Sequence, residues 1–399
     1  MRILVLDGNQ NQAVACVRSL ARRKHRVLVG ETTPWSKAGW SRHSSGSFRY
    51  ASPQSEPQRF LSDLLNQAEK EPGTLILPMT EKSTLLISAA RDQFAAVRAR
   101  TIFPAHEDLL RAVDKNYTTG LASSLGIATP RTYTLEQFDD LGPLEKELAY
   151  PLVLKPRTSE EKGAEGGLRA TGRPRYASNR TEARHVLTDM RKLCSSVIAQ
   201  EFVEGTGSGY FALLNRGELI AEFAHRRIRD VHPTGSGSAL RESILPPPAI
   251  REPSLKMLQA LRWHGMVMVE YRVQKDDTPV FLEINGRFWH SLPLACYAGV
   301  DFPGLLAEIA EHGDVKPSVG YKVGVRCRWF VGDFRHLVEV WKGRPPGYPG
   351  YFPKRSATLL AELAPKRGTF HDNFMWQDPL PELGDWLQFA GKVMQRRSG

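Results

Sequence analysis

Three polar residues at alternate positions, Glu283, Asn285 and Arg287, follow the apolar run Val280–Phe281–Leu282 in the stretch FLEINGRFW. In an extended chain their side chains leave one face together, which is a poor way to build a core. Carboxylate and amide oxygens suit Mg²⁺, and a guanidinium fork suits a transferring phosphoryl or carboxylate group, so this face could hold metal-bound phosphate. Taken alone, the stretch reads equally well as a strand end with three solvated side chains. Glu270 breaks the tie. It sits inside the apolar run Met266–Val273, where an unpaired carboxylate is expensive. The turn Lys275–Thr278 reverses the chain, so a hairpin can set Glu270 beside Glu283. Two carboxylates that close repel unless a divalent cation or a proton lies between them. A metal site is the more economical reading.

The elements that would position these residues can be read upstream. Asp114 is an N-cap for a helix running to Leu125, with Gly126 just past its end. Lys115 then falls in the first turn, where helix dipole and side chain both favour phosphate. Tyr150–Pro156 is an apolar strand closing on Lys155, whose ammonium either reaches solvent or aims at phosphates. The polar segment Arg157–Gly167 follows, with Ser159, Gly163, Gly166 and Gly167. It is either a surface loop or a cover whose N–H groups fold over phosphates. The strand Val197–Glu204 passes from apolar to acidic, and Glu201, Phe202, Val203 and Glu204 form a linker whose main-chain groups could match the edge of an adenine. Beyond a hairpin at Asn215–Gly217, the basic run Arg226, Arg227 and Arg229, the small-residue loop Thr234–Ser238, and Arg241 could form an anion-binding surface.

The first 112 residues alternate strand and helix, an α/β pattern with continuous apolar strands as in a parallel sheet. Their first turn, Asp7–Gln12, has one glycine where a dinucleotide fingerprint needs three, so an NAD or FAD site is rejected. In the remainder, Tyr321–Phe330 is strand-like, while Gly332–Lys342 and Leu383–Gln395 are helical. Residues 313–399 carry no catalytic motif, and three roles stay open for them: closing the fold, forming a homodimer surface, or covering the substrate pocket.

Composition fits an ordinary globular protein, with 41% hydrophobic and 24% charged residues in 399. No apolar run is long enough to span a bilayer, and Met1–Asn9 reads as a first strand rather than a leader. Four scattered cysteines have neither metal nor disulfide spacing, which fits a reducing cytoplasm. A formal charge of +11 points to anionic ligands, but no motif turns it into a nucleic-acid site. No membrane partner is expected.

Taken in order, these segments resemble the ATP-grasp superfamily, in the branch of carbamoyl phosphate synthetase and biotin carboxylase. The resemblance covers roughly residues 1 to 312 and rests on the order of Asp114–Lys115, VLKP, the glycine-rich loop, QEFVEG, VEYR and FLEINGR. It implies a Rossmann-like pre-ATP-grasp domain (1–112), a two-lobed ATP-grasp domain (113–312, lid lobe about 128–204) and a C-terminal extension (313–399). It implies ATP with Mg²⁺ or Mn²⁺. Lys115 and Lys155 would bind phosphates, Ser159–Gly167 would be the lid, and Glu201 and Val203 would present backbone groups to adenine, with Glu204 on ribose. Glu270, Glu283 and Asn285 would hold metal. Arg287 would stabilise an acyl phosphate, with Arg226 and Arg241 nearby. The implied reaction is that of a carboxylate–amine ligase acting on small molecules. An ATP-dependent carboxylase or kinase, or an inactive nucleotide-binding regulator, is the alternative. The D-alanine ligase branch has an arginine two residues before its first acidic ligand, and Met268 stands there instead. The substrate pocket is expected between the first-domain loops, Arg226–Arg241 and Phe288–Ser291.

Overall fold

In the computed structural model of the chain, every residue is described except 136–140, 143–145, 147–148, 164–165, 364–367 and 399. Four short strands, β1 (Arg2–Val5), β2 (Arg26–Glu31), β3 (Gly46–Arg49) and β4 (Leu75–Leu77), form a parallel sheet in the order β3-β2-β1-β4. The helix Asn11–Arg22 buries Val14, Val17 and Leu20 on it, as their spacing predicts. In the first turn the Asp7 carboxylate accepts from the Met79 and Thr80 amides (3.0 and 2.9 Å) and from the Ser83 hydroxyl (2.8 Å). Gly8 is required here, because a Cβ would stand 2.5 Å from Ser36 Oγ and Val29 Cγ1.

A second sheet is antiparallel. It is built from β5 (Thr132–Leu135), β6 (Leu152–Pro156), β9 (Arg175–Ala177) and β10 (Val197–Glu201), in the order β5-β10-β6-β9. Between β6 and β9 the chain makes a separate hairpin, β7 (Glu160–Lys162) with β8 (Leu168–Ala170). The segment expected as an open loop is thus largely a hairpin, and of that segment Ala164 and Glu165 lie outside the described residues.

The third sheet has seven strands: β11 (Thr206–Asn215), β12 (Glu218–His232), β13 (Ser236–Ile244), β14 (Gly265–Val273), β15 (Pro279–Asn285), β16 (Arg326–Arg328) and β17 (Thr369–His371), in the order β15-β14-β11-β12-β13-β16-β17. Here the sequence reading needs correction. The expected loop Thr234–Ser238 runs into β13, and the strand after the Asn215–Gly217 turn continues through the basic run to His232. A run so rich in arginine reads as a solvated basic strand, but β12 lies inside the sheet and buries Arg227. In the first 112 residues the helix after β4 is split at Ala90 into Glu81–Ala89 and Arg91–Ala96.

Residues beyond 312 add β16 and β17 to this sheet and two long helices, Phe330–Lys342 and Leu380–Ser398. A buried polar network joins them to the first sheet's layer. Arg18 donates to Asp378 (2.8 Å), Lys37 to Asp385 (2.7 Å) and Asn11 to Asp372 (3.1 Å), while Asp372 also pairs with fully buried Arg241. Of the three roles open for this region, closing the fold is therefore one it performs.

Candidate active site

The β14–β15 hairpin is the floor of the site. Its register sets Glu270 directly opposite Glu283 and Met268 opposite Asn285. The turn Lys275–Thr278 alone would bring Glu270 opposite Leu282, because Tyr271 pairs with Phe281, and an irregularity at Leu282 shifts the register by one residue to oppose the two carboxylates. Lys115 reaches this floor because Asp114 caps the helix Lys115–Ser124, accepting from the Asn116 and Tyr117 amides. Arg157, just past β6, pairs with the same Asp114 carboxylate (2.6 Å), and the Lys115 amide donates to Arg157 O (3.1 Å). This clasp brings the end of β6 to the start of the helix. Lys115 Nζ then lies 3.7 Å from Glu283 and 3.2 Å from Ser159 Oγ. Lys155, paired with Ile198 in the second sheet, is buried beside them.

These residues line one cavity of about 550 Å³. Lys115, Lys155, Ser159, Glu201, Phe202, Val203, Glu270, Glu283, Asn285 and Arg287 all contribute to its wall. The Glu201 carboxylate is held by Arg131 (2.9 Å), and Phe202 and Val203 continue past the end of β10. Arg287 donates to Phe288 O (3.0 Å) and Asn285 Oδ1 (3.3 Å).

Other expected site residues are elsewhere. Arg226 is on the outer side of β12, mostly exposed and paired with Glu242 (2.7 Å). Arg241 is consumed by its ion pair with Asp372. Alternation along a strand sends Arg226 and Arg227 to opposite faces, and it is Arg227 that lines the cavity. Glu204 pairs with Lys275 (3.3 Å) outside the cavity wall. Gly163, Gly166 and Gly167 form the hairpin turn, with the Gly163 amide donating to Gly167 O (2.7 Å), and none lines the cavity. Gly167 packs so closely on the first domain that a Cβ would meet Gln54 O. First-domain loops and Phe288 do not line this cavity either. Their expected place is taken by Glu339, Gly343, Pro345 and Phe352 from the C-terminal region. Tyr348 of that segment packs edge-on against Tyr176 (4.8 Å) and Phe202 (5.8 Å).

Electrostatics separate the two carboxylates. Burial raises both, but at Glu283 the cations Lys115 and Lys155 outweigh it and leave the group below its ordinary value. At Glu270 burial prevails over Arg227, 2.7 Å away, helped by the charge of Glu283, and the group lies above its ordinary value. Burial pushes Lys155 down to about 8 against the pull of Glu283. Burial likewise keeps His225 and His290, both on the cavity wall, neutral near pH 7. Arg227, His225 and His290 fall in segments expected around the pocket, and all three are on its wall. Arg227 lay in a run that sequence could not divide between faces.

Among the described residues no group of three or more His, Cys, Asp and Glu forms a metal cage. Two facing carboxylates and an amide still fit Mg²⁺, which takes one or two protein carboxylates and completes its shell with water and phosphate.

A family model described as "ATP-grasp in the biosynthetic pathway with Ter operon" matches residues 197–332. The chain is similar to the D-alanine–D-alanine ligase of Nitrosospira multiformis, 30% identical over 216 residues that cover 50% of this chain and 66% of that protein, just under two thirds. It is also similar to the D-alanine–D-alanine ligase of Cupriavidus necator, 26% identical over 229 residues, covering 53% of this chain and 67% of that protein. Among solved structures it is similar to biotin carboxylase from Campylobacter jejuni, with a TM-score of 0.64, 16% identity and coverage of 82% and 74%. It is also similar to L-amino acid ligase from Bacillus licheniformis, with a TM-score of 0.54, 16% identity and coverage of 78% and 74%. At such identities the structural likeness speaks for the fold. The sequence relatives come from the branch that Met268 weighs against.

Proposed function

We propose, from the premise that this chain belongs to the ATP-grasp superfamily, that it is an ATP-dependent ligase joining a small carboxylic acid to an amine with release of ADP and phosphate. The observation that carries the reading is the pairing of Glu270 with Glu283 on the wall of a cavity that also holds Lys115, Lys155 and Arg287. The acid's carboxylate oxygen attacks the γ-phosphorus, the bond to the β-phosphate oxygen breaks, and ADP leaves. The amine nitrogen then attacks the acyl carbon, loses a proton and expels phosphate. Lys115 and Lys155 hold the nucleotide phosphates, and Arg287 faces the transferring group, where cationic charge lowers the barrier. Glu270, Glu283 and Asn285 would hold Mg²⁺, which when bound neutralises phosphate charge and orients the reacting oxygens.

Glu201 and Val203 would present backbone groups to adenine, and the aromatic contact of Tyr348 with Tyr176 and Phe202 backs this stretch of the wall from the C-terminal region. Met268 lines the cavity, so the arginine of the D-alanine ligase branch has no equivalent in β14, and the guanidinium beside Glu270 comes from Arg227 on β12. This favours an acid other than D-alanine.

The test is an ADP-release screen of acids crossed with amines, with mass spectrometry of the product. ADP formation that requires both and yields an amide supports the ligase. ATP turnover driven by bicarbonate alone would instead identify a carboxylase.

Nucleotide affinity should depend on pH through Lys155. Its ammonium is the form that attracts phosphate, and it is lost as pH rises through about 8. KM for ATP is expected to be flat well below that pH and to climb toward about tenfold per pH unit above it. Lys155→Arg, which stays charged, is expected to flatten the profile. A wild-type KM independent of pH up to 9.5 would overturn the assignment.

A further inference from the structure

The helix Leu380–Ser398 is amphipathic the wrong way round for an ordinary surface helix. A helix on a globular protein usually buries its apolar stripe and exposes its charges. Here Glu382 and Asp385 are buried, at 8% and 2% exposure, and Asp385 is bonded to Lys37 (2.7 Å) and Asn373 (2.9 Å). The outward face carries Leu380, Leu383 and Leu387, exposed by 50%, 51% and 45%, with exposed Ala390 next in line. Their spacing of three, four and three residues is that of a seam between two packed helices. Trp386 and Val393, 36% and 37% exposed, flank the stripe on one side. On the other side is Gly391, where a Cβ would meet nothing within 4 Å, leaving room for close approach.

We propose that this face docks a second copy of the chain, giving a homodimer about a two-fold axis that crosses the helix near Leu387. Charge favours a copy over a different partner. From Leu380 to Gly391 the only charged residues are Glu382 and Asp385, and both face inward. The stripe therefore meets its own image without like-charge repulsion and offers an oppositely charged partner no handle. Size agrees. The exposed fractions of these side chains amount to on the order of 400 Å² of apolar surface. Homodimer interfaces are about 65% apolar, so such a core belongs to an interface of about 600 Å² per partner, the lower end of the standard size. The buried ion pair of Asp385 with Lys37 holds the helix rigidly, so little ordering is needed on docking.

The test is sedimentation equilibrium of the full chain at micromolar concentration, without nucleotide. The wild type is expected at twice 44.7 kDa, and Leu383→Glu with Leu387→Glu at the monomer mass with an unchanged melting temperature, since both side chains are already half exposed. Should that variant aggregate, Leu383→Ala with Leu387→Ala serves instead, with dimer affinity expected to fall at least about tenfold. A wild type that stays monomeric, or stripe variants that stay as dimeric as the wild type, would overturn the proposal. None of these readings involves ATP, so the result stands apart from the ligase assignment.

Discussion

Replacing Glu283 with glutamine is expected to lower kcat for ADP formation by on the order of 10²–10³-fold while the chain stays folded. The substitution removes one charge and keeps shape. The Glu283 side chain is already partly open to the cavity, so no buried cavity is created. What changes is the balance of the floor. Glu283 faces Lys115 at 3.7 Å, accepts from Asn285 at 3.1 Å, and is held ionised by Lys115 and Lys155 against the effect of burial. Without that charge a divalent cation loses one of two carboxylates, and the two lysines are released toward nucleotide phosphate. Metal-free nucleotide should therefore bind at least as tightly as before, while turnover collapses. Calorimetry of ADP binding and a coupled ADP-release assay separate the two effects. Phosphate release undiminished in Glu283→Gln would sink the proposed metal role.

Arg287→Ala is expected to cost about 10³-fold in kcat with KM for ATP little changed. Arg287 lines the cavity beside Asn285, and its guanidinium is anchored by Phe288 O and Asn285 Oδ1. Those bonds fix its direction before substrate arrives, which is what makes a charge effective on a transferring group. Lysine in its place keeps the charge but loses the planar fork, so Arg287→Lys should recover only part of the loss. The kcat against KM split is the decisive readout. A variant with normal kcat and a raised KM for ATP would make Arg287 a nucleotide-binding residue only. A fully active lysine variant would show that charge alone suffices.

Much of this arrangement was legible before any coordinates. The parallel sheet of the first domain follows from continuous apolar strands and the helical spacing of Val14, Val17 and Leu20. Part of the floor follows from alternation: Glu283 and Asn285 share a face because a strand repeats every two residues, and the turn at Lys275–Thr278 makes the hairpin. Arg287 lies two residues past the end of β15, and the pairing of Glu283 with Glu270 needs an irregularity at Leu282 that the turn does not announce. Asp114 declared itself as a cap by type and position. The resemblance to ATP-grasp proteins added the order of the motifs, which no single motif could supply.

Long-range packing decided the rest. Arg226, Arg227 and Arg241 look alike in sequence, yet the first stays exposed and pairs with Glu242, the second pairs with Glu270 on the cavity wall and the third with buried Asp372. The partners of the last two are 43 and 131 residues away in the chain, so no local pattern could sort them. The glycines of the lid segment turn a hairpin because β7 finds β8. The C-terminal region, without a motif of its own, supplies two strands of the central sheet and part of the cavity wall. Sequence by itself determined which chemistry this protein can support, because side-chain type and period-two spacing are local properties. Only the tertiary structure decided which cations face the site and which helix turns its apolar stripe outward, because those depend on partners that only the folded chain brings together.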